Sequence, residues 1–315
     1  MIVQKSYQKI YFIFVAACLF FWFAGDIANA QKIHVNTKSN FGLPGIIDLP
    51  TAKRFPDGEL NITQQIHKSL WRSGISFQAL PRLGVSFRYS GHGIGGSSAY
   101  GRLNYDRSFD AHISLFDEGL YTPAISIGLR DFIGTGWYSS EYIVGTKTIG
   151  RLEVTAGLGF GRLSGRSSFS NPFGILSSKF NDRQRNRKIG DTGGTLGNVN
   201  WFQGDASNFF GINFHLGNNI TISSEYTPDL MSREHDYLEI NSPWNFGISY
   251  QFNDYINLST QYLHGSQVSV TAHVSINPEQ PPLLGGKELA PVPMRLRNES
   301  TLPLSTSNEA TIRKV

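Results

Sequence analysis

The chain has 315 residues, 33 of them glycine, with 13% aromatic and only 17% charged residues, against about 25% charged in an ordinary soluble domain. Its formal net charge is +4, too mild to argue for a nucleic-acid partner. A single cysteine excludes any disulfide framework within the chain.

Residues 1–30 read as a signal peptide. Lys5 and Lys9 form a basic start, Ile10 to Ala24 is almost wholly apolar, and Ala28-Asn29-Ala30 gives a small-x-small cleavage pattern that puts Gln31 at the mature N-terminus. The apolar run of about fifteen residues falls short of the roughly 20 needed by a membrane-spanning helix. A retained N-terminal anchor is therefore the lesser alternative. Val15-Ala16-Ala17-Cys18 has the shape of a lipoprotein cleavage box, so lipidation at Cys18 is a second one, although the apolar run continues past it to Ala24. Cleavage after Ala30 removes the only cysteine, and with it any thiol chemistry in the exported chain.

Residues 31–58 are rich in glycine and proline. Pro44, Pro50 and Pro56 cannot serve a central ladder, while Gly42, Gly45 and Gly58 permit tight turns. The segment reads as an ordered non-strand lead-in, either a plug or a periplasmic rim.

From Glu59 to Ile276 the dominant signal is alternation with a period of two. Leu60, Ile62, Gln64 and Ile66 alternate, as do Leu83, Val85, Phe87 and Tyr89, with Ser86 and Arg88 on the other face. Ile125, Ile127 and Leu129 repeat it, then Leu152, Val154, Ala156, Leu158 and Phe160. Phe210 to Leu216, Ile220 to Tyr226, Trp244 to Phe252, Ile256 to Tyr262 and Val268 to Ile276 continue the series. Opposite each apolar face stand Ser, Thr, Gly, Asn, Gln or Arg. Strands that are apolar outward and polar inward are what a transmembrane barrel demands, because lipid satisfies no backbone group and the sheet must close on itself. The expected fold is all-β, an antiparallel transmembrane β-barrel of about 10–14 strands over residues 59–276. Turns are expected at Leu80-Pro81-Arg82, Gly217-Asn218-Asn219, Asn253-Asp254 and His264-Gly265-Ser266. A periplasmic sugar-binding β-sandwich shows the same alternation. Against it, Trp71, Tyr89, Tyr100, Tyr105, Trp137, Tyr138, Trp244 and Tyr262 gather near strand ends, as interfacial girdles do.

Two further regions break the pattern. Residues 161–208 form a long polar loop carrying Arg162, Arg166, Lys179, Arg183, Arg185, Arg187 and Lys188. The arginine fork suits carboxylate or phosphate, so Arg162, Arg166, Arg183, Arg185, Arg187 and Lys188, with Trp201 and Phe202 as stacking surfaces, form a candidate polysaccharide-binding cluster. The plainer reading is a solvated loop kept soluble by its charge. Residues 277–315 are a Pro-rich polar tail with no strand signal. Many outer-membrane barrels end on a strand with a terminal aromatic, whereas this chain ends Thr311-Ile312-Arg313-Lys314-Val315, so a further segment or a truncated form of a longer protein is expected.

Catalytic signals are weak. Gly91-His92-Gly93-Ile94-Gly95-Gly96 matches a dinucleotide fingerprint, but no helical period follows it. Gly157, Gly159 and Gly161 lie on the inward face of a strand, where they relieve crowding. Asp117-Glu118, Glu234, Asp236 and Glu239 sit in apparent turns and read as loop charges rather than a glycosidase pair. The eight histidines make no metal-ligand spacing, and no G-x-S-x-G elbow occurs. No enzyme, no metal and no cofactor is expected.

One stretch carries a resemblance. Phe41-Gly42-Leu43-Pro44-Gly45-Ile46-Ile47-Asp48-Leu49-Pro50-Thr51-Ala52-Lys53-Arg54-Phe55-Pro56-Asp57-Gly58 resembles the entry segment of the YjbH/GfcD family of outer-membrane proteins associated with exopolysaccharide and capsule production. Gly42, Pro44, Gly45, Pro50, Thr51, Pro56, Asp57 and Gly58 are its most specific positions. Phe77-Gln78, Leu80-Pro81-Arg82, Phe87-Arg88-Tyr89, Asp131 with Gly134-Thr135-Gly136, Glu141-Tyr142-Ile143-Val144 and Pro291-Val292-Pro293-Met294-Arg295 extend the resemblance over roughly residues 41–300. It implies a non-catalytic role in moving or organising exopolysaccharide at the bacterial outer membrane after Sec-type export. The implied partners are outer-membrane lipids, an acidic exopolysaccharide and other secretion-complex proteins. Members are often described as lipoproteins and are typically longer, so this chain would hold only a first barrel. A general diffusion porin is the functional alternative.

Overall fold

A computed structural model describes residues 37–92, 104–183, 200–234 and 238–278. Cys18, Ala30, Tyr100, Arg185, Arg187, Lys188, Asp236 and the tail beyond residue 278 lie outside the described residues. The chain divides into two units, Met1–Gln280 and Pro281–Val315, and every described residue belongs to the first.

Twelve strands follow one another: β1 (Leu60–His67), β2 (Leu70–Leu80), β3 (Leu83–His92), β4 (Asn104–Phe116), β5 (Ala124–Gly134), β6 (Ser140–Ile149), β7 (Leu152–Gly161), β8 (Ala206–Leu216), β9 (Ile220–Tyr226), β10 (Trp244–Gln251), β11 (Ile256–Leu263) and β12 (Gln267–Ile276). Each pairs antiparallel with its neighbours in sequence, and β1 also pairs with β12 to close the barrel. Leu60 sits opposite Phe77 of β2 on one side and Ile276 of β12 on the other. One closed sheet replaces the sandwich alternative and leaves no edge unpaired, as hydrocarbon requires. No helix among the described residues is long and apolar enough to cross a membrane.

Burial is inverted relative to a water-soluble protein. Outward residues such as Ile62, Ile66, Ile75, Phe87, Phe109, Ile212, Ile222, Phe246, Ile248, Leu258 and Val270 are exposed, while inward Thr63, Gln65, Ser86, Ser108, Ser126, Thr155, Asn213 and Thr271 are buried. So continuous an apolar exterior needs a covering other than water. The two ends differ. Short turns at residues 81–82, 150–151, 217–219 and 252–255, with the longer 117–123, share the end where β1 begins and β12 finishes. The opposite end carries the connections 93–103, 162–205 and 227–243. In outer-membrane barrels short turns face the periplasm and long loops face outside, and by that rule the end where β1 begins is called periplasmic.

Aromatics belt the outer rim. Trp71 packs on Tyr89 (ring centroids 5.4 Å) and Tyr89 stacks on Tyr105 (5.7 Å). On the other wall Phe210, Tyr226 and Trp244 pack at 5.0–5.5 Å. Trp137 and Tyr138 depart from the sequence-based expectation. Tyr138 is buried against Phe41 in the lumen, and Trp137 stacks on His92 (5.1 Å) and donates to Glu234 (2.7 Å). They belong to the interior, not to a girdle, because the β5–β6 connection folds inward over the barrel mouth.

The interior of the barrel is filled by residues 37–58. Phe41, Leu43, Ile46, Ile47, Leu49, Ala52 and Phe55 of this lead-in are all buried. Leu49 and Ala52 join Ala124, Tyr142, Val144, Leu163 and Phe209 in one apolar cluster, and Ile46 and Ile47 join Leu263 in another. Of the two expectations for the lead-in, the structure shows a plug.

Candidate functional site

The plug folds on itself before it meets the wall. Ser39 N–H donates to Leu43 O (2.9 Å), Asn40 N–H to Ile47 O (2.7 Å), Ile46 N–H to Leu49 O (2.9 Å) and Thr51 N–H to Pro44 O (3.1 Å). Bridges link Lys38 with Pro44 and Gly45 with Pro50. Gly42 lies at φ +85°, a conformation other residues adopt only with strain, and its N–H closes a tight turn onto Ser39 O (2.8 Å). Among the described residues, the backbone-to-backbone hydrogen bonds of residues 39–51 run within the lead-in.

Side chains do the rest. The Glu225 carboxylate of β9 accepts the N–H groups of Ile47 (3.0 Å), Asp48 (2.9 Å) and Leu49 (3.0 Å), and Asn245 of β10 donates to it at 2.9 Å. Three successive amides thus form a cup around the carboxyl group of Glu225. Ser76 and Ser86 donate to the carbonyls of Gly42 (2.7 Å) and Phe41 (3.2 Å), and Thr271 bonds Asn40 at 2.7 Å. Ala52 N–H donates to Thr146 (2.8 Å) while Ser126 donates to Ala52 O (2.9 Å). His112 Nε2 donates to Lys53 O (2.9 Å), which leaves Nδ1 to accept from the Tyr142 hydroxyl (3.0 Å). At Gly211 of β8 the plug comes close: a Cβ there would lie 2.5 Å from Ile46 Cδ1 and 2.8 Å from Ser224 O of the wall.

The upper lumen is an arginine cage. The guanidiniums of Arg72 (β2), Arg88 (β3) and Arg130 (β5) lie 4.2, 4.3 and 4.0 Å from the centroid of the Phe41 ring, each within cation–π range. Arg88 is paired with Asp110 of β4 at 2.5 Å. Arg72 faces plug Asp48 at 3.8 Å and donates to Gln65 (2.9 Å) and the Tyr138 hydroxyl (3.1 Å). Arg130 donates to the Asp48 carbonyl at 2.6 Å. Burial pushes the Tyr138 phenol up to about 12, so it stays neutral among these cations. Two cavities beside the plug measure about 20 Å³ each, room for a water molecule and no more.

At the periplasmic mouth Glu118 forms a hub. It accepts from Lys53, from Thr148 N–H (2.7 Å) and from Lys147 (3.3 Å). Burial alone would raise its pKa, but Lys53, the Thr148 amide and Lys147 together hold it below the usual carboxylate range. Asp117 beside it pairs with Arg82 (3.1 Å) and Arg54 (3.4 Å). Among the described residues no group of His, Cys, Asp and Glu could hold a metal.

The residues singled out from sequence are tied into the fold by their own partners. Arg162 is committed to Asp229 (2.5 Å) and Glu234 (2.8 Å). Burial works against its charge, yet these two carboxylates hold its pKa well above the usual value. Arg183 makes a two-pronged pair with Glu141 (2.7 and 2.9 Å). Arg166 is half-buried, its N–H bonded to Pro228 O at 2.9 Å. Trp201 packs edge-on to Phe132 (6.4 Å). Arg162 and Arg183 are thus each committed to carboxylates of this chain, and both reach Ser139, the Arg162 amide donating to its carbonyl (3.1 Å) and the Arg183 guanidinium to its hydroxyl (3.3 Å); Arg185, Arg187 and Lys188 lie outside the described residues. The loop has a core of its own: Phe160, Phe173, Phe180 and Phe202 pack at 5.4–6.4 Å. Gly42, Pro44, Gly45, Pro50 and Thr51 of the entry segment build the plug, while Pro56, Asp57 and Gly58 form the turn into β1, with Gly58 N–H on Gln78 O (3.1 Å). Glu225, Arg72 and Arg130 were missed. Their signal was a charge on the inward face of an otherwise alternating strand.

A closed antiparallel barrel with an apolar exterior and a lumen stoppered by its own N-terminal segment defines the class: a plugged β-barrel of the outer-membrane type. The family model described as "Exopolysaccharide biosynthesis protein YbjH" matches residues 37–313, and the chain belongs to that YjbH family. It is 27% identical over 260 residues to a protein of Escherichia coli (strain K12) named "Uncharacterized lipoprotein YjbH", the match covering 78% of this chain and 36% of that protein. The chain therefore spans little more than a third of this relative's length. Among solved structures it is similar to a KdgM porin in complex with disordered oligogalacturonate (11% identity, 69% of this chain, 97% of that one, TM-score 0.38). It is also similar to an outer-membrane channel from Pseudomonas putida F1 (9% identity, 73% and 100%, TM-score 0.38).

Proposed function

We propose that this chain is a non-catalytic outer-membrane barrel, exported by the Sec route, that takes part in secreting or assembling an exopolysaccharide or capsule. Family membership supports the polymer, and the plug supports a controlled rather than an open conduit. The observation that carries the reading is the clamp of Glu225 on Ile47, Asp48 and Leu49, which closes the lumen through side chains alone. Its partners in this reading are outer-membrane lipids, the polymer, and further proteins of a secretion complex, including segments such as those that make the relative longer. A deletion strain should secrete less exopolysaccharide and recover on complementation. Normal secretion without the chain would sink the proposal.

The competing reading, a general diffusion porin, predicts passage of small solutes through the resting protein. Liposome swelling decides between them: wild type is expected to admit little, and free size-dependent uptake would favour the porin. The relative's name, with its word lipoprotein, also gives weight to lipid attachment at Cys18 over cleavage after Ala30. Labelling with radioactive palmitate, lost on Cys18→Ser, would settle which processing occurs.

A further inference from the structure

The geometry points to a binding site for an acidic sugar in the upper lumen, built from Arg72, Arg130 and Tyr138 and filled in this structure by the plug's own Asp48 and Phe41. The inference rests on the exopolysaccharide reading above and names the ligand class.

The charges are unevenly provided for. The wall answers Arg88 with Asp110 (2.5 Å), and Asp110 also accepts Asp131 N–H (2.8 Å). Asp106 is taken up by Ser108 and Thr135. Arg72 has no such wall carboxylate. Its ion-pair partner among the described residues is Asp48 (3.8 Å), on the plug. Arg130 donates to the carbonyl of the same residue (2.6 Å), with no carboxylate at ion-pair distance among the described residues. An aromatic ring from the plug then lies flat within reach of both guanidiniums and edge-on to Tyr138 (5.5 Å). A carboxylate and a six-membered ring, side by side, are the two recognition elements of a uronic acid. The plug presents both as a built-in occupant.

The occupant can leave without breaking the barrel. Thr37 lies at the periplasmic half, bonded by Asn213 (3.1 Å), and Gly58 at the β2–β3 turn end, so the segment enters and leaves by the same mouth. No ladder bond ties residues 39–51 to a strand. Once it withdraws, Arg72 and Arg130 line the emptied lumen without a carboxylate at ion-pair distance among the described residues, and two such cations side by side attract an acidic ligand where they do not attract a neutral one. Bidentate arginine–carboxylate geometry supplies the selectivity.

The test uses the full chain in lipid nanodiscs. A Cβ at Gly247 lies 3.4 Å from Ile47 Cγ1, the atom a cysteine sulfur would replace, so Ile47→Cys with Gly247→Cys, made together with Glu225→Ala to undo the clamp, locks the plug when oxidised and lets it leave when reduced. Trigalacturonate is the probe and maltotriose its neutral counterpart. Reduced protein is expected to bind trigalacturonate at least about tenfold more tightly than maltotriose, a difference of about 1.4 kcal/mol, and oxidised protein to bind neither. Adding Arg72→Gln and Arg130→Gln should abolish the preference, and Arg72→Lys with Arg130→Lys should keep part of it. Heat-modifiable gel migration confirms that each variant folds, and single Arg130→Gln substitutes if the pair does not. Equal binding of both sugars, binding of neither to reduced protein, or a preference surviving in the glutamine variants would overturn the site. Normal secretion by a deletion strain would overturn the export role while leaving a measured preference intact.

Discussion

Glu225 and Asp48 are 177 positions apart in sequence, yet the Asp48 amide hydrogen points between the two oxygens of the Glu225 carboxylate, at 2.9 and 3.1 Å. A strand of the barrel wall thereby holds the backbone of the plug through one carboxyl group.

Glu225→Ala should release the plug selectively. It leaves the amides of Ile47, Asp48 and Leu49 buried without acceptors, and each such loss costs about 1–3 kcal/mol. Hydrogen exchange at those amides should rise by two or more orders of magnitude while strand amides stay protected. Unchanged exchange at residues 47–49 would show that the apolar packing alone suffices. Glu225→Gln, which keeps one acceptor oxygen, should fall between.

Gly211→Ala should act from the other direction. The new methyl meets Ile46 Cδ1 at 2.5 Å and Ser224 O at 2.8 Å, so the plug must shift, at a cost of about 1–3 kcal/mol for overpacking. Limited proteolysis should cut the lead-in faster in Gly211→Ala than in wild type. Ile46→Ala in the same chain should slow it again in part, because it removes only one of the two clashes. Equal cutting rates for all three would contradict the close approach.

The periplasmic hub should loosen in acid. Glu118 has a folded pKa below its unfolded value of about 4.3, so its contribution is complete above that value and is lost as pH falls through the folded pKa. Hydrogen exchange at the Thr148 amide, which donates to Glu118, should therefore rise below about pH 4 once corrected for its intrinsic pH dependence. Glu118→Gln should show the loosened pattern at neutral pH. A flat pH profile in wild type would remove Glu118 from the anchoring of the plug's exit.

The outer wall should refuse charge. Ile248, 54% exposed at the middle of β10, faces the position of the hydrocarbon core. Ile248→Arg should cost about 2–4 kcal/mol in denaturant unfolding from lipid vesicles. Gly247→Ser, one residue away but on the lumen side, should cost far less. Equal effects would argue against a lipid-facing exterior.

The strands whose outward face is plainly apolar were legible in sequence: Leu83, Val85, Phe87 and Tyr89 fall on one face of β3, and Trp244, Phe246, Ile248 and Tyr250 on one face of β10. β6 was not, for a physical reason. Its inward Tyr142 and Val144 pack on plug residues Leu49 and Ala52, while its outward Glu141 is covered by Arg183, so the polarity of its two faces is blurred. In β4 the outward row includes Arg107, and in β2 the apolar row Trp71, Ile75 and Phe77 is broken by Ser73. Phe160, read as part of an apolar outward row, is fully buried because Phe173 and Phe202 of the long loop cover it. The site was less legible still. Pro44, Pro50 and the glycines announced an ordered non-strand segment, but its partners Glu225, Arg72, Arg130 and Thr271 come from four different strands, and only closure of the ladder brings them together.

The bonds of the plug to β9 and β12 also set an order of construction. Residues 37–58 precede every strand in the chain, yet Glu225 and Thr271 form one receiving surface only when the last strands have paired and β12 has met β1. Contacts between such distant parts of a chain form late. The stopper is thus the earliest part of the barrel in sequence and the one whose seat is completed by the latest strands.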